Sequence, residues 1–270
     1  MEIIHHFGLK IRSATDARAF ANLGIQLDLG SEGLPGFGVT SFEISENDSR
    51  WLEVQRLALE FKITQFVRTR FSDDENRSAN VLCMLASLQK GFPTDGRYLD
   101  FLEETYDLTG YCLHCGAGLV QVRPLRIKSA RDLNRTVWQL NWIFDEFLVA
   151  HEIWMSVFKP FGVECWPVLS ARTGAEIGSV VQLRIVHEAH LSIRDLATIA
   201  CAHCGRKKSP LNLRGFAPLP SSNPAPIFKS VDLFGTDSNA FQRVFVSREM
   251  FSEIRSKSLR GLDFYPCGPS

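Results

Sequence analysis

The stretch Cys112-Leu113-His114-Cys115-Gly116 returns much later in the chain as Cys201-Ala202-His203-Cys204-Gly205. Two residues between cysteines let both sulfurs face one cation from a single tight turn, and the trailing Gly accepts a positive φ that leaves room for backbone beside the sulfur. Two such turns supply four thiolates, the tetrahedral set that zinc favours because it is borderline-soft and imposes no geometry of its own. The spacing therefore predicts one structural zinc ion held by Cys112, Cys115, Cys201 and Cys204. A c-type haem would need His where each motif has Gly. A redox dithiol calls for a helix starting at the first cysteine, and Gly116-Ala117-Gly118 and Lys207-Lys208-Ser209-Pro210 are poor helix starts. His114 and His203 read as exposed turn-tip residues, since four thiolates already complete the shell.

Residues 117 to 200 separate the two turns, so much of that chain is expected to fold as a large insertion and return to the metal. Loop closure becomes only slowly more costly with length, so one ion can staple the two ends. Seven cysteines is an odd count that disfavours a disulfide framework and leaves Cys83, Cys165 and Cys267 as spare thiols. The 30 Lys+Arg balance the 30 Asp+Glu across 270 residues, which argues against a protein that blankets phosphates with positive charge. The opening Met1 to His6 lacks the basic and apolar segments of a signal peptide. No apolar run approaches the roughly 20 residues that span a bilayer. The expected location is cytoplasmic, without membrane contact.

Several segments carry their own signals. Phe37 to Ser45 is β-rich, Asp48-Ser49 is a candidate cap, and Trp51, Val54, Leu57, Ala58 and Phe61 have helical spacing. Ile63 to Phe71 returns to strand character. Ser72-Asp73-Asp74-Glu75 has the form of a capping box, and the reading continues its helix through Val81, Leu82, Met84 and Leu85 to about Leu88. The breakers Gly91 to Gly96 suggest a soft boundary, with an α+β region at 1–95 and a cysteine-bearing α+β domain at 96–270, or one continuous domain. Leu119 to Ile127 reads as a strand interrupted at Pro124, and Trp138 to Phe161 as a strand entering a helix. Cys165 to Ala171 and Val180 to Val186 read as a hairpin about Thr173-Gly174. The four prolines of Phe216 to Phe228 predict an irregular exposed connection. Arg243 to Val246 reads as a strand, Ser247 as a cap, Met250, Phe251 and Ile254 as an apolar helix face, and Leu259 to Phe264 as a turn into a last strand.

Other chemistry-bearing residues favour bland readings. His187-Glu188-Ala189-His190 misses the zincin spacing, with Leu191 where the second His should stand. Asp145-Glu146 near His151 resembles the solvated edge of an aromatic segment more than an acid–base set. The aromatics Trp138, Trp142, Phe144, Phe147, Trp154, Phe158, Phe161 and Trp166 are read as core. Arg206, Lys207, Lys208 and Arg214 form the alternative reading, a zinc-ribbon contact with nucleic acid. No nucleotide-binding loop or nucleophile elbow is present, so no catalytic residue is assigned and an enzyme is not expected.

The doubled C-x-x-C-G, together with Asp232-Leu233-Phe234, Arg243-Val244-Phe245-Val246-Ser247-Arg248-Glu249-Met250-Phe251 and Leu259-Arg260-Gly261-Leu262-Asp263-Phe264, resembles the double-CXXCG proteins abundant in myxobacteria. The resemblance spans Cys201 to Phe264, and Cys112 to Gly116 by motif alone. It implies a metal site at the four cysteines and no catalytic residue. It also implies, because some members are immunity proteins, a protein partner in the form of a bacterial toxin. The combined expectation is an α+β fold with mixed and antiparallel sheets, a zinc-ribbon-like double knuckle and a large insertion between the knuckles.

Overall fold

The computed structural model describes residues 1–11, 14–25, 38–93, 98–128, 135–194 and 196–268. Its contacts divide the chain into two compact units, Met1–Ser72 with Asn212–Phe216, and Asp73–Leu211 with Ala217–Ser270. The division after Ser72 differs from the partition at residue 95 expected from the glycine-rich breakers; residue 95 itself lies outside the described residues.

The first unit contains β1 (Glu2–Ile11), α1 (Ala14–Asn22), β2 (Gly38–Ser45), α2 (Trp51–Glu60) and β3 (Thr64–Arg70). The strands form one antiparallel sheet in the order β2-β1-β3. The helical spacing of Trp51, Val54, Leu57 and Ala58 produces the buried face of α2, which joins Phe7, Phe20, Phe42 and Ile44 in one core. Asp48 does not cap the helix through the N–H groups of its first turn. Its carboxylate accepts the backbone N–H of Arg50 at 2.9 Å, and α2 has no side-chain cap bond. Buried His5 bridges Glu46 (2.7 Å) and Gln65 (2.9 Å) beneath the Trp51 ring. Arg214 reaches the same Glu46 from the returning segment, and its guanidinium is the main cause holding that carboxyl below its ordinary range.

The second unit opens with α3 (Asp73–Ser78), β4 (Val81–Ala86), α4 (Tyr98–Thr105) and the short pair β5 (Tyr106–Asp107) and β6 (Val120–Gln121). A five-stranded sheet follows from β7 (Arg126–Ile127), β8 (Val137–Trp138), β9 (Leu148–Ala150), β10 (Glu164–Ser170) and β11 (Glu176–Arg184), in the order β7-β10-β11-β9-β8. The helical connection between β9 and β10 comprises α5 (His151–Ile153), a π turn at Trp154–Phe158 and a 3-10 turn at Lys159–Phe161. The larger sheet adds β12 (Glu188–Ala189), β13 (Ile199–Ala200), β14 (Lys207–Ser209), β15 (Ala217–Pro218), β16 (Ile227–Phe234), β17 (Phe241–Ser247) and β18 (Leu262–Gly268), with α6 (Arg248–Ser256) after β17. Its order is β13-β14-β16-β17-β4-β18-β15, with β12 beside β16. Helices with mixed and antiparallel sheets make an α+β chain, and all five strands of the smaller sheet lie between the two cysteine turns in sequence.

Strand alternation gives the smaller sheet two buried faces. Val137, Val149, Val181 and Leu183 join the core beneath α6 and β17, whereas Trp138, Leu148, Val168 and Val180 join a second core with Phe101, Leu102 and Ile143. The predicted hairpin is present as antiparallel β10 and β11. Ser247 caps α6 by accepting the N–H of Met250, and Met250, Phe251 and Ile254 are buried as expected.

Three expectations are corrected. The helix opened by Ser72 ends at Ser78, and Val81–Ala86 is strand β4, lying between β17 and β18. A strand covered on both faces reads as a continuous apolar run, which periodicity does not separate from a buried helix. The single strand expected over Leu119 to Ile127 is two two-residue strands, β6 and β7; Pro124, which carries no N–H to donate, lies between them. The proline-rich connection is not wholly irregular or exposed. Ala217 and Pro218 are buried and pair in parallel with β18 at the sheet edge, the position where a proline in a strand leaves no neighbour unserved.

Candidate metal centre

The two cysteine turns have the same backbone. Cys112 donates its N–H to Ala117 and Cys201 donates to Arg206, both at 2.9 Å. Gly116 donates back to Cys112 at 2.8 Å and Gly205 to Cys201 at 2.9 Å. The two glycines take φ of 78° and 73°, in the left-handed region that favours glycine. Each turn also aims N–H groups at its own first sulfur. Those of Cys115 and then His114 draw the Cys112 thiol down, and those of Cys204 and then His203 bring Cys201 down to about 6. Burial works in the opposite direction at Cys115 and pushes it up to about 12.

The sulfur atoms of Cys112, Cys115, Cys201 and Cys204 all lie within 4.8 Å of one another. Across the turns, Cys112 Sγ is 3.9 Å from Cys201 Sγ and Cys115 Sγ is 3.6 Å from Cys204 Sγ. A tetrahedron with metal–sulfur arms of about 2.3 Å has edges of about 3.8 Å, and a disulfide has a bond of about 2.05 Å. The spacing therefore fits one four-coordinate metal ion, and all four cysteines are free thiols. Such an ion would cross-link positions 89 residues apart.

His114 and His203 are both exposed at the turn tips, as expected, and lie outside the four-sulfur group. Their rings stack on each other, with centroids 3.3 Å apart and planes within 6°. Cys83 and Cys267 are held well above the ordinary thiol range by burial, and Cys165 is also raised by burial. None of the three belongs to the group. Glu188 sits in short strand β12 and His190 is exposed, so His187 to His190 forms no metal cluster.

The basic residues of the alternative reading are mostly engaged within the protein. Buried Lys208 donates from Nζ to the carbonyls of Cys115 (2.9 Å), Asp237 (2.5 Å) and Asn239 (2.8 Å). Arg206 donates to the carbonyls of Gly110 (2.7 Å) and Ala117 (3.3 Å), both beside the first turn. Arg214 belongs to the other unit and is paired with Glu46. Only Lys207 stands exposed without such a contact among the described residues. The inward lysine was partly legible: β14 alternates, so Lys207 and Lys208 must face opposite ways. Its carbonyl partners come from distant loops and left no local signal.

Asp145 and Glu146 also require correction. Glu146 is not a solvated edge: it is 8% exposed and binds Lys229 Nζ at 2.5 Å and the Gln182 amide at 2.8 Å. A lysine inside the apolar run of β16 was the signal that a buried acid must exist somewhere to meet it.

Among the described residues, no helix is long and apolar enough to cross a membrane. No protein-family model matches the chain, and no curated protein matches it.

Proposed function

We propose that Cys112, Cys115, Cys201 and Cys204 hold one structural zinc ion, and that the protein is a non-enzymatic binder that neutralises a partner protein as an immunity protein against a bacterial toxin. The observation that carries the metal assignment is the four-sulfur cluster, with edges near those of a zinc–thiolate tetrahedron. Four protein thiolates leave no open coordination position, which suits a structural ion rather than a catalytic one. A zinc ion with four thiolates carries a net charge of −2, and the ammonium of Lys208 and the guanidinium of Arg206 next to the first turn offset it.

The partner reading rests on the resemblance carried by the cysteine turns and the segments Asp232 to Phe234, Arg243 to Phe251 and Leu259 to Phe264. The mechanism is occlusion: a rigid surface covers the toxin's active site, with a few aromatic and Arg anchors supplying most of the affinity.

Elemental analysis of purified protein should find about one zinc per chain; metal-free folded protein with four reactive thiols would overturn the staple. For the partner, the protein should rescue growth and co-purify when co-expressed with a toxin-like neighbour in its genome. Failure of both with every such neighbour ends the immunity reading. The nucleic-acid alternative predicts retention on a polyanion column at low salt, and the engagement of Lys208 and Arg206 within the protein leads us to expect none.

A further inference from the structure

The second unit contains a cavity of about 470 Å³ that the metal centre does not use. One wall comes from the smaller sheet through Trp166, Gln182 and Arg184, and the other from the larger sheet through Lys229, Val231 and Gln242. Its size is that of pockets that take small organic molecules.

Charge inside the cavity is unequal. Three carboxylates border it, Asp145, Glu146 and Glu188, together with three cations, Lys229, Arg184 and Arg206. Neither arginine is paired with any of these three acids. Arg184 binds Glu164 at 2.6 Å and lies over the Trp166 ring, and Arg206 serves carbonyls beside the first cysteine turn. That leaves buried Lys229 facing three acids. Burial alone would lower its pKa, yet the carboxylates of Glu146, Asp145 and Glu188 outweigh burial and raise it. Glu146 is raised chiefly by burial, against the lowering pull of Lys229. The direction at Lys229 reports carboxylate charge that outweighs the cost of its burial.

The uncompensated acids sit beside aromatic rings. Gln242 tethers both, its backbone N–H to Asp145 Oδ2 at 3.1 Å and its side chain to Glu188 Oε1 at 2.7 Å. Among the described residues, the second oxygen of each carboxylate accepts no hydrogen bond. The residues preceding Asp145 and Gln242 are Phe144 and Phe241, whose rings pair at 5.4 Å, and both line the cavity. Trp142, also on the wall, holds a φ of 73°. A bulky aromatic rarely adopts that conformation, and such strain concentrates at binding sites.

We infer that this cavity binds an organic cation, an amine or guanidine, with its charge at Asp145 and Glu188 and its carbon skeleton against Phe144, Phe241 and Trp142. Carboxylates with free lone pairs beside aromatic faces attract a cation by charge and by ring quadrupole together. An anion of the same shape would meet the surplus carboxylates. The inference is independent of the immunity reading, because it concerns a cavity rather than an outer surface.

Phenethylamine and 3-phenylpropionate test it, since they share a ring and chain and differ in the sign of charge. Calorimetric titration into the zinc-loaded protein should show saturable binding of the amine and none of the acid. The double variant Asp145→Asn, Glu188→Gln should weaken the amine by at least about tenfold, with zinc content and melting temperature unchanged. Equal binding of both probes, no binding of the amine, or an unchanged affinity in the double variant would overturn the inference. A capped arginine, N-acetyl-arginine methylamide, separates the sources: binding comparable to the amine assigns the site to a protein side chain, and its exclusion while the amine binds assigns it to a free small molecule.

Discussion

The two cysteine turns are near-copies in sequence and backbone, yet they occupy different surroundings. In the first, Cys112, Cys115 and Ala117 are buried and form a small core with Leu233, Ala240 and the half-buried Cys201 of the second turn. In the second, Cys204 and Gly205 are exposed. The glycines show the contrast most clearly. A Cβ on Gly116 would overlap the carbonyl of Ser238 and crowd the N–H of Ala240, whereas a Cβ on Gly205 would meet nothing within 4 Å. The same local chemistry therefore does two jobs. One turn is a packed platform under the 235–240 loop, and the other closes the site from the solvent side.

The largest effect expected from this asymmetry lies in the sulfurs. Cys115→Ser should release the proposed zinc and abolish cooperative unfolding of the second unit, a loss of more than about 4 kcal/mol. Cys204→Ser should keep part of the zinc, because solvent can complete the shell at an exposed corner. Elemental analysis with denaturant titration compares the two, and equal losses would mean that exposure does not matter.

Next come the glycines. Gly205→Ala incurs only the left-handed backbone penalty of about 1–2 kcal/mol. Gly116→Ala adds a clash of backbone against backbone and should cost at least about 3 kcal/mol. Melting curves at fixed zinc measure the difference.

A smaller effect is expected where the lysines diverge. Lys208→Met removes an ammonium shared by three carbonyls and leaves those acceptors buried, a cost of about 2–3 kcal/mol. Lys207→Met should stay within about 0.5 kcal/mol. If both lysines prove neutral, the carbonyl contacts seen at Lys208 contribute nothing net.

The smallest change belongs to the stacked tips. His114→Ala or His203→Ala should retain a full complement of zinc and shift stability by less than about 1 kcal/mol, the scale of an exposed ring pair. Loss of zinc in either variant would make that histidine a ligand and break the four-cysteine assignment.

Legibility followed the range of the interaction. The β10–β11 hairpin, the Ser247 cap and the buried face of α6 all depend on residues a few positions apart, and each was readable. The strand β4 was not, because Val81-Leu82-Cys83-Met84 is apolar on every side. Only β17 and β18 beside it make that run a strand rather than a helix. The burial of Glu146 is not legible locally for the same reason: the lysine that holds it is 83 positions away in β16.

By itself the sequence determined both cysteine turns, since five residues with a Gly at the end suffice to close each loop and turn its N–H groups toward sulfur. The repeat of the motif also predicted their pairing into one four-sulfur cluster, whereas the burial of the first turn and the exposure of Cys204 and Gly205 in the second were decided by tertiary structure. The physical reason is that turn closure is a local hydrogen-bond problem. Burial depends instead on which distant segments arrive: β16 with Leu233, the loop carrying Ser238 and Ala240, and the inward ammonium of Lys208.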